Sequence, residues 1–282
     1  MKDQVAYISI TKYTDGNLEI AEEIVAVEEP LNIKLSWSSA TGQLSRDIAI
    51  TMRTPGHDDE LAAGYLFTEG ILQSKNDISK IVHAKSDPNQ IEVILTENKI
   101  PELKYSNRSG YVSSACGICG KTGMDDIIIE SPFGKRKESI TIEKNILFEL
   151  HNTLRKQQSV FETTGGIHAA ALFNSSGNLQ LVREDIGRHN ALDKIIGNSL
   201  MNEKLPLEES ILLLSGRASF ELIQKAAMAG IAIVASVGAP SSMAVSMARD
   251  SGITLIGFLR DNRFNIYTEF DKITINETSL KG

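Results

Sequence analysis

The run "ILLLSGRASFELIQKAAMAGIAIVASVGAPSSMAVSMARDSGITLIGFL", Ile211 to Leu259, carries the reading of the fold. Three short, almost wholly apolar segments, "ILLLS", "IAIVASVG" and "ITLIGFL", alternate with two segments of helical spacing, "SFELIQKAAMAG" and "SSMAVSMARDSG". Strands without polar alternation are buried on both faces, and strands alternating with helices build a sheet covered by helices. Gly230 and Gly252 stand where the two helices should stop, because glycine accepts the backbone conformation that closes a helix. The fold class read from this run is α/β.

Upstream, "IHAAALFNSSGNLQLV" reads as two strands around a turn, and "GRHNALDKIIGNSL" and "EKNILFELHNTLRKQQSVF" read as helices. The first third is mainly strands. "EEIVAVEEPLNIKLSW" and "RDIAITMRTP" alternate with a period near two, and "ISKIVHAK" and "IEVILTE" are further candidates. Between them "HDDELAAGYLFTEGIL" has helical spacing, with Asp58 or Asp59 as its cap. Residues 109 to 122 show no periodicity, only small residues and glycine, and read as an exposed or hinged loop, with "MDDIIIE" a short strand after it. Two parts are therefore expected: a smaller strand-rich region over residues 1–125, and an α/β domain over residues 126–282.

At 282 residues, 41% hydrophobic and 23% charged, the composition is that of an ordinary globular protein with a sizeable core. A formal net charge of −7 argues against a nucleic-acid binder, although it leaves room for a compact cationic pocket. The start "MKDQVAYISI" has no apolar leader, and no stretch approaches the roughly 18 apolar residues of a membrane span. Cys116 and Cys119 are the only cysteines, too close together to staple a secreted fold. A cytoplasmic protein with neither nucleic acid nor membrane as partner is the expectation.

Both thiols lie in "YVSSACGICGKTGMDD", Tyr111 to Asp126. A structural zinc site needs four Cys or His ligands, and here there is one cysteine pair and no matching histidine pair, so no metal is expected. A thioredoxin-type dithiol needs a helix opening after its first cysteine, and "GKTGMDD" is a poor one. A sulfur carrier needs one cysteine to bear a persulfide and gains from a second thiol nearby, in a loop that can reach donor and acceptor. The residues alone leave redox cycling, sulfur carriage and an inert turn open.

Other candidate residues gather at the carboxyl ends of strands, where open α/β sheets bind ligands. "LLLSGRASFE" places Ser215, Gly216, Arg217 and Ser219 between a strand and a helix, and "SVGAPSS" repeats the arrangement with Gly238, Pro240 and Ser241. "GFLRDNRFN" adds Arg260 and Arg263, and "TGGIHAAALF" sets His168 between two glycines and an apolar strand. Free helix N–H groups and guanidinium groups suit a phosphorylated or nucleotide-like ligand. No P-loop or dinucleotide fingerprint is present. "VREDIGRHNALDK" puts Asp185 at a helix start with Arg188 and His189 in the first turn, which reads either as a solvated charged turn or as cations awaiting an anion. "MRTPGHDDELAAGYLFTEG" likewise offers Arg53, His57, Asp58, Asp59 and Glu60 for acid–base work, or for a tight turn and an acidic first helical turn.

Together these motifs resemble the FdhD family of formate dehydrogenase accessory sulfurtransferases, over roughly Glu29 to Tyr267 and in family order. The resemblance implies a protein that takes sulfur from a cysteine desulfurase as a persulfide. It would pass that sulfur to the molybdenum or tungsten bis-guanine-dinucleotide cofactor that formate dehydrogenase requires. Cys116 resembles the persulfide-bearing cysteine and Cys119 the second family cysteine. Phe258, Leu259, Arg260, Asp261, Asn262 and Arg263 resemble the cofactor-binding segment. His168, Ser215, Arg217, Ser219, Gly238 and Ser241 would line the same pocket, and the two arms of the cofactor suggest a homodimer. The implied fold is a three-layer α/β/α sandwich similar to cytidine deaminase, after a smaller strand-rich region. Deaminase zinc chemistry is not implied. Ala170 stands where the catalytic acid would follow His168, and Ser215 and Ser219 stand where cysteines would be wanted.

Overall fold

A computed structural model describes residues 4–103, 129, 131–133, 140–268 and 271–274. The first part holds strands β1 (Val5–Thr14), β2 (Asn17–Ala26), β3 (Glu29–Ser39) and β4 (Gly42–Arg53), helix α1 (Asp58–Thr68), and strands β5 (Ile78–His83) and β6 (Gln90–Leu95). Next come β7 (Ile142–Glu143), α2 (Lys144–Gln157), α3 (Ser159–Thr164), β8 (His168–Asn174), β9 (Leu179–Asp185) and α4 (Arg188–Met201). The remainder is β10 (Ser210–Leu214), α5 (Phe220–Met228), β11 (Ile233–Ser236), α6 (Ser242–Asp250), β12 (Thr254–Arg260), β13 (Arg263–Ile266) and β14 (Ile273–Thr274).

The opening run of the sequence forms the middle of a six-stranded sheet of order β13-β12-β11-β10-β8-β9. β10, β11 and β12 are parallel, whereas β8, β9 and β13 run antiparallel to their neighbours. Its apolar strands bury both faces. Ile211 and Leu213 pack with Leu147, Leu150 and Leu154 of α2 on one side. Leu212 and Leu214 face α4, α5 and α6 on the other. Helices therefore cover the sheet on both faces, and the mixed α/β class expected from the sequence is the one observed.

A second sheet, of order β4-β3-β6-β5, shares the core of the α4–α6 layer, with Leu31, Ile33, Leu35, Ile91 and Val93 in one cluster with Ile195, Ile196 and Leu222. The link is the crossing of α1 over α4. A Cβ added to Gly64 would lie 1.9 Å from the Asp193 carbonyl oxygen, and one added to Gly197 would lie 1.8 Å from that of Glu60. The two backbones touch where side chains would normally separate helices by 8–10 Å, so only glycine fits at the crossing. The expected boundary near residue 125 lies outside the described residues.

Three local departures from the sequence reading have physical causes. The run "EEIVAVEEPLNIKLSW" is split between β2 and β3, and β2 pairs along its whole length with the unanticipated β1. Asp15 and Gly16 close that hairpin with positive φ angles of 48° and 87°, as a two-residue turn between twisted strands needs. The helix expected over "EKNILFELHNTLRKQQSVF" breaks at Gln158 into α2 and α3. Neither Asp58 nor Asp59 caps α1. His57, in the left-handed region at φ 57°, occupies that position, and Asp58 instead accepts two hydrogen bonds from the Arg53 guanidinium at 3.0 and 3.1 Å.

Candidate functional site

The loops that follow β10, β11 and β12 are stitched to one another at one end of the sheet. The Ser215 amide donates to the Ala169 carbonyl at 3.0 Å, and the Ser215 hydroxyl accepts from the Ala169 amide at 2.8 Å. Gly238 donates to the Gly216 carbonyl at 2.9 Å, Ser241 to that of Ala218 at 3.0 Å, and Phe258 to that of Gly238 at 3.2 Å. Arg260 closes the series by donating from Nη1 to the Val237 carbonyl at 2.9 Å. Because β8 runs antiparallel to β10, its first residue, His168, arrives at this same end. A Cβ on Gly216 would stand 3.3 Å from His168 Nδ1, so the imidazole fills the space that this glycine leaves.

A cleft of about 520 Å³ opens beside these loops, lined on one side by His168, Ser215 and Val237 and on the other by α2 and α3. The far wall includes His151, Arg155, Gln158 and Phe161. Burial lowers the pKa of His168, and the nearby Arg188 and His189 lower it further. Burial also lowers that of His151, helped by Arg260 and Arg155 and opposed by Asp261. Both imidazoles are thus held neutral near pH 7, His168 beside Arg188 and His151 beside Arg260 and Arg155. Such a pocket is large enough for one nucleotide moiety and has donors for its phosphates.

The expected residues divide by what their side chains already do. His168 and Ser215 line the cleft, whereas Ser241 spends its hydroxyl as a helix cap, accepting from the Ala244 amide at 3.2 Å. Ser219 Oγ lies 3.3 Å from His189 Nε2. Arg217, Phe258, Arg260, Asp261, Asn262 and Arg263 are exposed at the strand ends. Leu259 is fully buried in the core against α2, so only its backbone can meet a ligand. Phe258 has a φ of 53°, at the irregularity that shifts the β12–β13 register between Gly257 and Arg260. Cys116 and Cys119 lie outside the described residues. The α2 wall was missed by sequence reasoning. Its signal was the spacing of His151, Arg155 and Gln158 by four and three residues, which places them on one helical face.

The charged "VREDIGRHNALDK" segment is not a solvated turn. Asp185 and Lys194 are both 0% exposed, and their side chains meet at 2.7 Å. Asp185 also accepts from the Gly187 amide at 2.8 Å, Asn190 Nδ2 at 3.0 Å and the Thr54 amide at 3.2 Å. It therefore ties α4 to the end of β4 instead of capping the helix, and Gly187 holds the cap position. Further along α4, Asp193 accepts on both oxygens from the buried Lys225 ammonium of α5 at 2.9 Å, and Lys225 also donates to Thr68 at 2.8 Å. Burial pushes both aspartates up in pKa, against the pull of their lysines. Arg183 grips Glu60 at 2.5 and 2.6 Å, and Asn198 adds a bond at 2.8 Å. Burial alone would raise Glu60, but these hydrogen bonds and the Arg183 charge outweigh it and hold its carboxyl below the usual range. Of this segment, Arg188 and His189 remain near the cleft. His189 Nε2 pairs with Glu221 at 2.8 Å, and Arg188 Nε is buried with no partner among the described residues.

The profile of the FdhD/NarQ family matches residues 26–274. A protein of Mycolicibacterium paratuberculosis called "Sulfur carrier protein FdhD" is 43% identical over 272 residues, covering 94% of this chain and 97% of that one. Another so called, from Sulfolobus acidocaldarius, is 40% identical and covers 96% of this chain and 100% of its own. The crystal structure of a candidate formate dehydrogenase accessory protein from Desulfotalea psychrophila superposes with a TM-score of 0.73 at 23% identity, over 96% of this chain and 100% of that one. The fold is thus that of a known mixed α/β architecture. The chain belongs to the FdhD/NarQ family.

Proposed function

We propose that this protein is a sulfur carrier for the maturation of formate dehydrogenase. It accepts sulfur from a cysteine desulfurase on Cys116 and delivers it to the molybdenum or tungsten bis-guanine-dinucleotide cofactor, its substrate. The names of relatives at about 40% identity over nearly the whole chain support the carrier role. The observation that carries the pocket assignment is the convergence of the loops after β10, β11 and β12 with His168 on one nucleotide-sized cleft.

In this scheme the Cys116 thiolate attacks the outer sulfur of the donor's persulfide. A new S–S bond forms, the donor cysteine leaves as thiolate, and no net oxidation occurs. Release as sulfide requires two electrons, which Cys119 supplies: its thiolate attacks the inner sulfur, expels sulfide and leaves a Cys116–Cys119 disulfide for an external thiol to reduce. The guanine dinucleotide is held by the arginines and loop amides of the strand ends. The reading includes a cytidine-deaminase-like domain over residues 126–282 that has kept the pocket and lost the zinc ligands. It also includes a homodimer whose two clefts serve the two arms of the cofactor, and a cytoplasmic location that keeps the thiols reduced.

Incubation with a cysteine desulfurase and cysteine, followed by mass spectrometry, tests the carrier role. One added sulfur on Cys116, absent from Cys116→Ala, is expected, together with loss of formate dehydrogenase activation by that variant. Full activation by Cys116→Ala, or incubation that never adds sulfur to Cys116 even when Cys119 is replaced by Ala, would sink the persulfide scheme.

A further inference from the structure

We propose that α2 is the second wall of the ligand site, with His151 and Arg155 contacting a nucleoside diphosphate opposite His168 and Ser215. The proposal rests on the reading of the cleft as the cofactor's seat, and it names groups outside every motif that pointed to the strand ends.

Arg155 is the first indication. Its guanidinium lies 5.7 Å from the centroid of the Phe161 ring, a cation–π contact that favours this placement of an exposed side chain. No carboxylate among the described residues lies within ion-pairing distance of it. A cation fixed at the rim of a cleft and left without an anion is available to a ligand.

His151 is the second, one helical turn away on the same face. Its Nδ1 is buried without a hydrogen-bond partner among the described residues, which in a folded protein calls for an explanation. The groups that face it are Arg155 on its own helix, and Arg260 and Asp261 at the end of β12 and the turn beyond. Across the cleft, His168 faces Arg188 and His189 at the start of α4, where His189 is already engaged by Glu221. The chain carries a net charge of −7, yet Arg155, Arg188 and Arg260 all bear on this one cleft. Positive charge concentrated here against the overall balance selects an anion.

These surroundings make binding proton-linked. Burial, helped by the neighbouring cations, keeps both imidazoles neutral in the free protein. A diphosphate offsets the cations and offers acceptor oxygens, which favours the imidazolium forms, so protons enter with the ligand. Affinity then rises as pH falls toward the ordinary histidine range.

Titration calorimetry on the full chain tests this, with GDP and inorganic pyrophosphate as probes, from about pH 6 to about pH 8 in buffers of different ionisation enthalpy. Proton uptake on binding is expected, reduced in His151→Asn. Arg155→Ala, at an exposed position that the fold does not need, should weaken binding about tenfold or more. Binding that is unchanged by both variants, or that takes up no protons, overturns the α2 wall and leaves the cofactor reading intact. If pyrophosphate binds with these properties and GDP does not, the guanine reading falls and the anion wall stands. If neither binds, both fall.

Discussion

Two regions dense in charge look alike in the sequence and differ in kind in the structure. In the crossing of α1 and α4, nearly every charged group is buried and paired: Arg53 with Asp58, Arg183 with Glu60, Lys194 with Asp185, Lys225 with Asp193. In the cleft at the strand ends, and among the described residues, Arg155 has no carboxylate, and His151 Nδ1 and Arg188 Nε are buried without partners. The first region has spent its hydrogen-bonding capacity on holding two sheets together, and the second has kept it. What separates a structural motif from a ligand site here is the pairing of the charges, which their density does not reveal.

If the contrast holds, substitutions in the crossing damage the fold and those in the cleft damage binding. The largest effect belongs to Gly197→Ala or Gly64→Ala. Each new methyl would sit under 2 Å from a carbonyl oxygen of the facing helix, and backbone cannot yield as a side chain can. A loss well over about 4 kcal/mol, or failure to fold, is expected by urea denaturation. A near-normal unfolding midpoint would mean that the helices are not in backbone contact.

Next is Lys194→Met, which strands the Asp185 carboxylate in a fully buried site. Breaking such a pair by removing one partner costs about 3–5 kcal/mol. Adding Asp185→Asn should recover part of the loss, since the amide is uncharged and its one oxygen can still accept from Gly187, while its NH2 replaces the oxygen that accepted from Thr54. If the single change cost under about 1 kcal/mol, the pair would not be the clamp that its burial implies.

Glu60 gives a smaller effect with a defined pH dependence. Its folded pKa lies below the unfolded value of 4.5, so its contribution is complete above that value and is lost as pH falls through the lowered folded pKa. Glu60→Gln should therefore destabilise by about 1–3 kcal/mol at neutral pH, and by progressively less as both proteins are acidified below about pH 4.5. A difference that stays constant with pH would remove the charge from the explanation.

The legibility of the molecule follows the same division. The six-stranded sheet is readable because segments such as "ILLLS" and "ITLIGFL" are apolar throughout and must be covered on both faces. The hairpin of β1 and β2 is not, although Asp15 and Gly16 mark its turn. Tyr7, Tyr13, Leu18 and Ile20 are exposed on one of its faces while Ile8 and Ile10 lie on the other, which blurs the alternation of a half-buried strand. Asp193 and Lys225 are 32 residues apart, and nothing local in the sequence says that they meet in the core. In the site, the strand ends are legible from small residues and arginines placed after apolar runs. The α2 wall is less so, because His151 and Arg155 belong to an otherwise ordinary amphipathic helix and come to line the cleft with His168 only through tertiary packing.

The smallest effect on stability, and the sharpest contrast, belongs to Arg260→Ala with Arg263→Ala. Both side chains are exposed, and Arg260 is held by its bonds to the Val237 and Leu259 carbonyls. Losing them should cost no more than about 1 kcal/mol. The same double change removes two of the cations that the strand ends offer to a phosphate, one of which also bears on His151. Binding of GDP should fall by about tenfold or more while the unfolding midpoint scarcely moves. Weakened binding with an intact fold would set this end of the sheet apart from the α1–α4 crossing. Unaltered binding would mean that the arginines of the β12–β13 turn serve another surface, and the ligand would then have to be held from the α2 side and the loops after β10 and β11.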